Sequence, residues 1–242
     1  MTGYIDLHCH VVPGVDDGVR TSEEGFALCG ALAGMGYSRL VATPHIRTAM
    51  FENRRSSLVA PFGAFRRDFY AQDAMPTLGL AAEHYFDDQF WTLFEAEETI
   101  LYPGGRAILL ELNPNVAPMG FEARCFELLV RGIRPVVAHP ERYQFLFDDD
   151  TWVREVQARG VLLQLDLMSL AGTYGKRPKH LAERWLGADL YSIACTDCHR
   201  LEQIDDVAKG IKELFRRLGA AKAAQLLKDG PQKVLDGTIM PV

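Results

Sequence analysis

Short apolar runs alternate with longer amphipathic stretches along nearly the whole chain. The runs over 4–10, 40–45, 77–83, 107–112, 135–139, 161–166 and 191–197 have the length and side-chain character of buried strands. The stretches between them read as helices. Thr21-Ser22-Glu23-Glu24 is an N-cap signal that predicts a helix running to about Met35. Two further helices, over 121–131 and 149–159, are followed by Gly132 and Gly160 where a C-capping glycine belongs. Helices near 203–218 and 220–228 close the chain. Phe62, Phe65 and Phe69 recur at helical spacing, which reads first as packing and second as the lining of a substrate mouth.

Seven strands separated by helices imply an α/β fold with a parallel sheet. A closed barrel and an open doubly wound sheet both fit that alternation. Neither a dinucleotide glycine fingerprint nor a Gly-rich phosphate loop with lysine follows the first strand. No internal repeat, low-complexity tract or Pro/Gly/Ser-rich linker interrupts the pattern, so one domain over 1–242 is expected. At 48% hydrophobic and 24% charged, the 242 residues suit a globular protein with a sizeable core. Lysine and arginine number 26 against 32 acidic residues, and no basic stripe is visible, which argues against nucleic acid as partner. No run is apolar enough to enter a membrane, and no leader pattern is visible. Five cysteines without framework spacing fit a reduced, cytoplasmic protein.

The strand ends carry the chemistry. In a parallel barrel, reactive side chains gather at the C-terminal ends of the strands. His8 and His10 end the first run, two apart and therefore on one face. His45, Glu83, Glu111 and His139 end or nearly end the next runs, and Asp197 and His199 end the last. Each run is apolar until it delivers one or two metal-ligand types. Converging buried carboxylates are costly without cations, so the pattern points to a multinuclear metal site.

These motifs give the chain its resemblance. Ile5-Asp6-Leu7-His8-Cys9-His10 with Val15-Asp16-Asp17-Gly18 opens the series, followed by Ala42-Thr43-Pro44-His45 with Met50-Phe51-Glu52. Ala82-Glu83, Leu110-Glu111-Leu112-Asn113, Ala138-His139-Pro140-Glu141-Arg142-Tyr143 and Thr196-Asp197-Cys198-His199 complete it. In this order they resemble the PHP (polymerase and histidinol phosphatase) metallophosphoesterases, and most closely the bacterial protein-tyrosine phosphatases of capsule and exopolysaccharide systems. The resemblance implies a distorted (β/α)7 TIM-like barrel with two or three divalent metals, manganese first, with Fe, Zn2+ or Co2+ as alternatives. It implies that His8, His10, Glu83 and Asp197 hold one metal, and that Glu83, Glu111 and His139 hold a second. Asp17, His45 and His199 would hold a third, with Asp16 the alternative to Asp17. A metal-activated water would attack phosphorus, with Glu111 and His139 at the reacting centre. Arg142 matches a phosphate-binding arginine of the family, and its planar fork suits phosphate oxygens. Its plain alternative is a surface ion pair with Glu141. Arg47 and Arg200 are weaker phosphate candidates. Relatives carry a further arginine where this chain has Ile204.

The implied substrate is a phosphotyrosine protein, a bacterial tyrosine kinase of exopolysaccharide synthesis. The missing arginine at Ile204 motivates the alternative of a small phosphomonoester such as histidinol phosphate or a nucleotide. A non-catalytic metal-bound regulatory barrel is the third reading. Cys125 and Arg131 have the Cys-x5-Arg spacing of cysteine-dependent phosphatases, but an amphipathic, glycine-free helix between them cannot wrap a phosphate. Cys195 and Cys198 read as packing behind the metal ligands, and Cys9 as pointing away from them. His84, next to Glu83, faces away by alternation and reads as structural. His180 lies in a charged stretch and reads as solvated.

Overall fold

The computed structural model describes residues 3–149 and 151–239. Its strands are β1 (Tyr4–Cys9), β2 (Tyr37–Ala42), β3 (His45–Ile46), β4 (Thr77–Leu80), β5 (Glu83–Tyr85), β6 (Ala107–Glu111), β7 (Arg134–Val137), β8 (Leu162–Asp166) and β9 (Ile193–Cys195). Every paired neighbour runs parallel. β2 and β3 are one chain path interrupted at Thr43-Pro44, and β4 and β5 are another interrupted at Ala81-Ala82. The two paths stay side by side through the breaks, since Ala81 N donates to Ala42 O at 2.8 Å and Glu83 N to Pro44 O at 3.2 Å. Pro44, lacking an N–H, cannot continue the ladder. The strands therefore make seven staves in chain order, as the sequence pattern predicts.

The sheet curls back on itself. Cys9 pairs with Cys198, Asp197 N donates to His8 O, and His10 N donates to Cys198 O, both bonds at 2.9 Å. The last stave is thereby joined to the first, and the expected barrel is the fold observed.

Helices follow the strands around the outside: α1 (Ser22–Gly34), α2 (Arg55–Phe69), α3 (Asp88–Glu95), α4 (Phe121–Val130), α5 (Thr151–Ala158), α6 (Leu167–Ala171), α7 (Lys176–Gly187), α8 (Ile204–Ala224) and α9 (Gly230–Asp236). Thr21 caps α1 as its sequence predicts, its hydroxyl accepting from Glu24 N at 3.3 Å. The helix expected over 149–159 is α5, and Asp150 lies outside the described residues. Gly219, at φ 73°, interrupts α8 where the boundary between the last two helices was expected. Phe62, Phe65 and Phe69 are buried, and Phe65 stacks on Phe26 of α1 at 5.2 Å, so they pack and do not line the mouth.

Alternation along the strands sorts the core into two layers. Leu40, Ala42, Ile108, Leu110, Val137, Leu163 and Leu165 lie in the large cluster shared with the helices. Val41, Ala81, Leu109, Val136, Leu162 and Ile193 belong to a separate inner cluster, joined by Val234, Leu235 and Ile239 from the chain's end. The same period of two then delivers Glu83 beyond Ala81, Glu111 beyond Leu109 and Asp197 beyond Cys195. The apolar floor and the polar mouth are thus one pattern. β1 departs from it: its register against β2 shifts between Asp6 and Cys9, and Leu7 joins the inner cluster although His8 reaches the mouth.

Candidate metal centre

His8, His10, Glu83 and Asp197 converge inside the mouth and are almost wholly buried. His8 Nε2 lies 3.2 Å from His10 Nε2, 3.2 Å from Glu83 Oε2 and 3.1 Å from Asp197 Oδ1. His10 Nε2 lies 3.6 Å from Glu83 Oε2 and 3.4 Å from Asp197 Oδ1. Donors about 2.1 Å from a shared ion stand roughly 3.0–3.4 Å apart, so these spacings suit a cation between them. A second group joins His45, Glu83 and Glu111, and a third joins His10, Asp17, His45 and His199. His45 Nε2 and His199 Nε2 lie 3.4 and 3.5 Å from Asp17 Oδ1.

The donors are poorly satisfied by one another. Glu83 Oε2, Glu111 Oε2, Asp197 Oδ1, His45 Nδ1 and His139 Nδ1 are buried without an aligned hydrogen bond. His45 Nδ1 approaches Glu83 Oε2 to 3.0 Å, close enough for charge attraction but not aligned for a bond. Orphaned buried polar atoms are rare and costly, and here they share one small volume. Burial, then the neighbouring Glu83, pushes the Glu111 carboxyl up to about 7. Burial opposes charge on His8 too, but Glu83 and Asp197 prevail and raise it to about 10. The site gathers negative charge that protons balance only in part. The donors are hard oxygens and imidazoles without a thiolate, so the residues present fit divalent cations.

His8 and His10 are held from behind. Gln164 Oε1 lies 2.7 Å from His8 Nδ1. Asp16 does not join the donors. Its carboxylate accepts from Gly18 N at 3.0 Å and His45 N at 3.1 Å, and it lies 2.8 Å from His10 Nδ1. Of the adjacent pair, Asp17 faces the cluster and Asp16 orients it. Gly18 permits this approach, because a Cβ there would stand 2.4 Å from His10 O. His139 and Asp197 both adopt left-handed backbone, at φ 33° and 49°; such conformations in non-glycine residues gather at functional sites.

Some sequence expectations shift. His45, not His139, groups with Glu83 and Glu111, while His139 Nε2 faces Glu83 Oε1 at 3.0 Å. His10 serves both its expected group and the one around Asp17. Arg142 forms no surface pair with Glu141. Its Nη1 donates to Asp197 Oδ2 at 2.5 Å and lies 3.6 Å from Asp166 Oδ2, with the guanidinium over the Tyr174 ring. Glu141 is fully buried, accepting from Asp166 N and Tyr191 OH, both at 2.9 Å. Arg47 lies 3.6 Å from Glu111 and over the Tyr85 ring. Arg200 is exposed, with Nη2 3.4 Å from Asp17 O. Ile204 opens α8 and packs against the core.

Sequence reasoning missed Gln164 and Asp166. Both were legible, because Leu162-Leu163-Gln164-Leu165-Asp166 places two polar residues on the inward face of an apolar strand. His84 does face away, with Nδ1 3.0 Å from Leu109 O and Nε2 accepting from Ile100 N. His180 is exposed, in α7. Cys125 is buried in α4, where burial raises its thiol far above the reactive range.

A parallel α/β barrel with imidazoles and carboxylates clustered at its mouth has the architecture of metal-dependent hydrolases. More narrowly, the chain belongs to the family described as "Capsular polysaccharide synthesis, CpsB/CapC", whose model matches residues 4–236. This bears out the resemblance read from the motifs. Tyrosine-protein phosphatase CpsB of Streptococcus pneumoniae is 28% identical over 239 residues, covering 96% of this chain and 98% of the relative. Tyrosine-protein phosphatase YwqE of Bacillus subtilis (strain 168) is 24% identical over 198 residues, covering 82% and 78%. A solved chain from work on YwqE and CpsB, described there as unique metal-dependent tyrosine phosphatases, superposes with TM-score 0.88 at 22% identity, covering 98% and 99%. The Listeria monocytogenes lactonase Lmo2620 shares the fold alone, at TM-score 0.58 and 10% identity over 97% and 94%.

Proposed function

We propose that the chain is a metal-dependent protein-tyrosine phosphatase whose metals are held by His8, His10, Asp17, His45, Glu83, Glu111, His139, Asp197 and His199. The observation that carries this reading is the set of buried donor atoms that face one another without aligned partners. Two or three divalent ions suit that set. Mn2+ is the first candidate, and Fe, Zn2+ or Co2+ suit the same donors. Bound there, the ions would supply Lewis acidity and lower the pKa of a coordinated water.

The chain's own residues do the rest. Asp16 and Gln164 fix the ring orientations of His10 and His8. Asp197, Asp166 and the Tyr174 ring hold Arg142 so that its remaining N–H groups can take phosphate oxygens. Arg47 beside Glu111 and Arg200 at the rim are the further phosphate candidates. A phenolate leaves with a parent pKa of about 10 and needs less protonation than an alkoxide, which suits a mouth without a dedicated strong acid.

Exposed Met50, Val116 and Met119 lie on loops that follow strands, and exposed Leu201 opens the 3-10 turn Leu201–Gln203 after β9, all at the mouth end of the barrel. Such an apolar rim suits a protein substrate better than a metabolite. The names of the relatives point the same way. We assign the substrate as phosphotyrosine on a bacterial tyrosine kinase of exopolysaccharide synthesis, met in the cytoplasm. No helix among the described residues is long and apolar enough to cross a membrane. The test compares specificity constants for a phosphotyrosyl peptide, histidinol phosphate and a nucleotide monophosphate. The peptide is expected to lead by at least tenfold; a leading metabolite would move the substrate to small phosphomonoesters.

A further inference from the structure

Arg142 has a second neighbourhood. It forms one wall of a shallow cleft of about 440 Å3, with Gln144, Phe147, Tyr174, Lys176 and Arg177 as other walls and Pro178 at its edge. Three of these side chains are cations and none is a carboxylate; Arg142 is already paired with Asp197 and Asp166, which leaves Lys176 and Arg177 as the unbalanced charges. On a chain with net charge −6, that local imbalance runs against the whole. Two of the cations lie over aromatic faces: Arg142 Cζ is 4.4 Å from the Tyr174 ring centroid and Arg177 Cζ 5.4 Å from that of Phe147. The Phe147 ring beneath Arg177 orients that guanidinium without neutralising it.

Lys176 and Arg177 are exposed and pair with no carboxylate among the described residues, whereas Arg124, Arg131, Arg159, Arg216 and Lys209 do. They occupy the first two positions of α7, whose first turn holds no acid. A helix N-terminus disfavours cations, so the two charges add nothing to the helix they begin. The cleft and the metal centre also share a residue, since Arg142 contacts both Asp197 and Tyr174.

We propose that this cleft is an accessory subsite for a second anionic group, a carboxylate or phosphate, on a residue flanking the phosphotyrosine. The inference rests on the phosphotyrosine reading and deepens it. With Arg142 between the two anions, the second belongs on a substrate residue flanking the phosphotyrosine. Because Lys176 and Arg177 are solvated, their contribution is a modest, salt-sensitive gain in affinity rather than in chemistry.

The experiment uses the Mn2+-loaded protein and its Lys176→Ala/Arg177→Ala variant. Substrates are p-nitrophenyl phosphate and three phosphotyrosyl peptides that differ only in the flanking position: serine, glutamate or a second phosphotyrosine. Binding of the matching non-hydrolysable phosphonate peptides is measured by fluorescence anisotropy. The wild type is expected to favour both anionic flanks over serine by about five- to tenfold, through KM. The variant loses that preference in turnover and in binding alike, and turns over p-nitrophenyl phosphate and the serine peptide as before. The ratio of the two anionic peptides tells which anion the cleft prefers. Equal handling of all three peptides by the wild type, or a variant that keeps the preference, overturns the subsite. Turnover of p-nitrophenyl phosphate with none of the peptides cleaved overturns the phosphotyrosine reading instead, and the subsite with it.

Discussion

At the scale of single residues, Glu83 is the hinge of the account. Its two oxygens face His8, His45 and His139 within 3.2 Å, and it shares two of the three donor groups. Glu83→Gln keeps the shape and removes a charge. It is expected to lower bound metal by at least one ion per chain and kcat/KM by about a hundredfold or more. The metal-free variant should melt below the metal-free wild type at neutral pH, because the Glu83 charge is what holds protonated His8 and His45 in the buried cluster. Metal analysis and thermal melts on one preparation check both halves. Asp16→Asn tests support rather than ligation. The amide can still meet His10 Nδ1 but carries no charge, so a loss of about 10- to 100-fold in metal affinity is expected. An unchanged affinity would show that Asp16 orients nothing.

At the scale of elements, Gly18 marks how tightly the first loop is pressed against β1. Its missing Cβ would stand 2.4 Å from His10 O and 2.7 Å from His10 Cβ. Gly18→Ala should cost about 1–3 kcal/mol of stability and reduce metal content, since His10 is what must move. Urea melts with and without Mn2+ separate the two effects. The elements also show what a sequence discloses. The seven staves were legible because each is an apolar run that changes character at its last residue. The strand breaks at Thr43-Pro44 and Ala81-Ala82 were not, because the neighbouring path carries the ladder across them. α7 went unread because Lys176-Arg177-Pro178-Lys179-His180 is a charged stretch that reads as solvated, while its buried face is made by Pro178, Leu181, Ala182, Trp185 and Leu186. Gln164 and Asp166 were passed over although their spacing announced them. Arg142's partners could not be found from sequence, because Asp166 and Asp197 come from the ends of the next two staves, β8 and β9, and only the parallel pairing of β7, β8 and β9 brings them together.

At the scale of the whole molecule, charge balance links metal, protons and stability. In the metal-free protein, burial would lower His8 and His45, yet Glu83 foremost raises them to about 10 and about 9. Both lie above the unfolded value of about 6.5. Their contribution to stability is therefore full below pH 6.5 and is lost as pH rises through 9 to 10. Ligation needs neutral imidazole, so metal affinity should run the other way and climb over the same window. The metal-free melting temperature should fall between pH 7 and 10, while the increment from Mn2+ grows. At a hundredfold excess over Kd that increment is about 2.7 kcal/mol, or roughly 5–10 °C for a chain of this size. An increment that shrinks with rising pH would mean the histidines are not the ligands.

The most direct test measures metal content and phosphotyrosyl-peptide hydrolysis on the same sample, before chelation, after it, and during stepwise return of Mn2+. Two or three ions per chain are expected, with activity abolished by chelation and recovery that saturates at that stoichiometry. Full activity in protein stripped of metal would contradict the metal-dependent reading, as would two or three bound ions with no hydrolysis of any phosphoester.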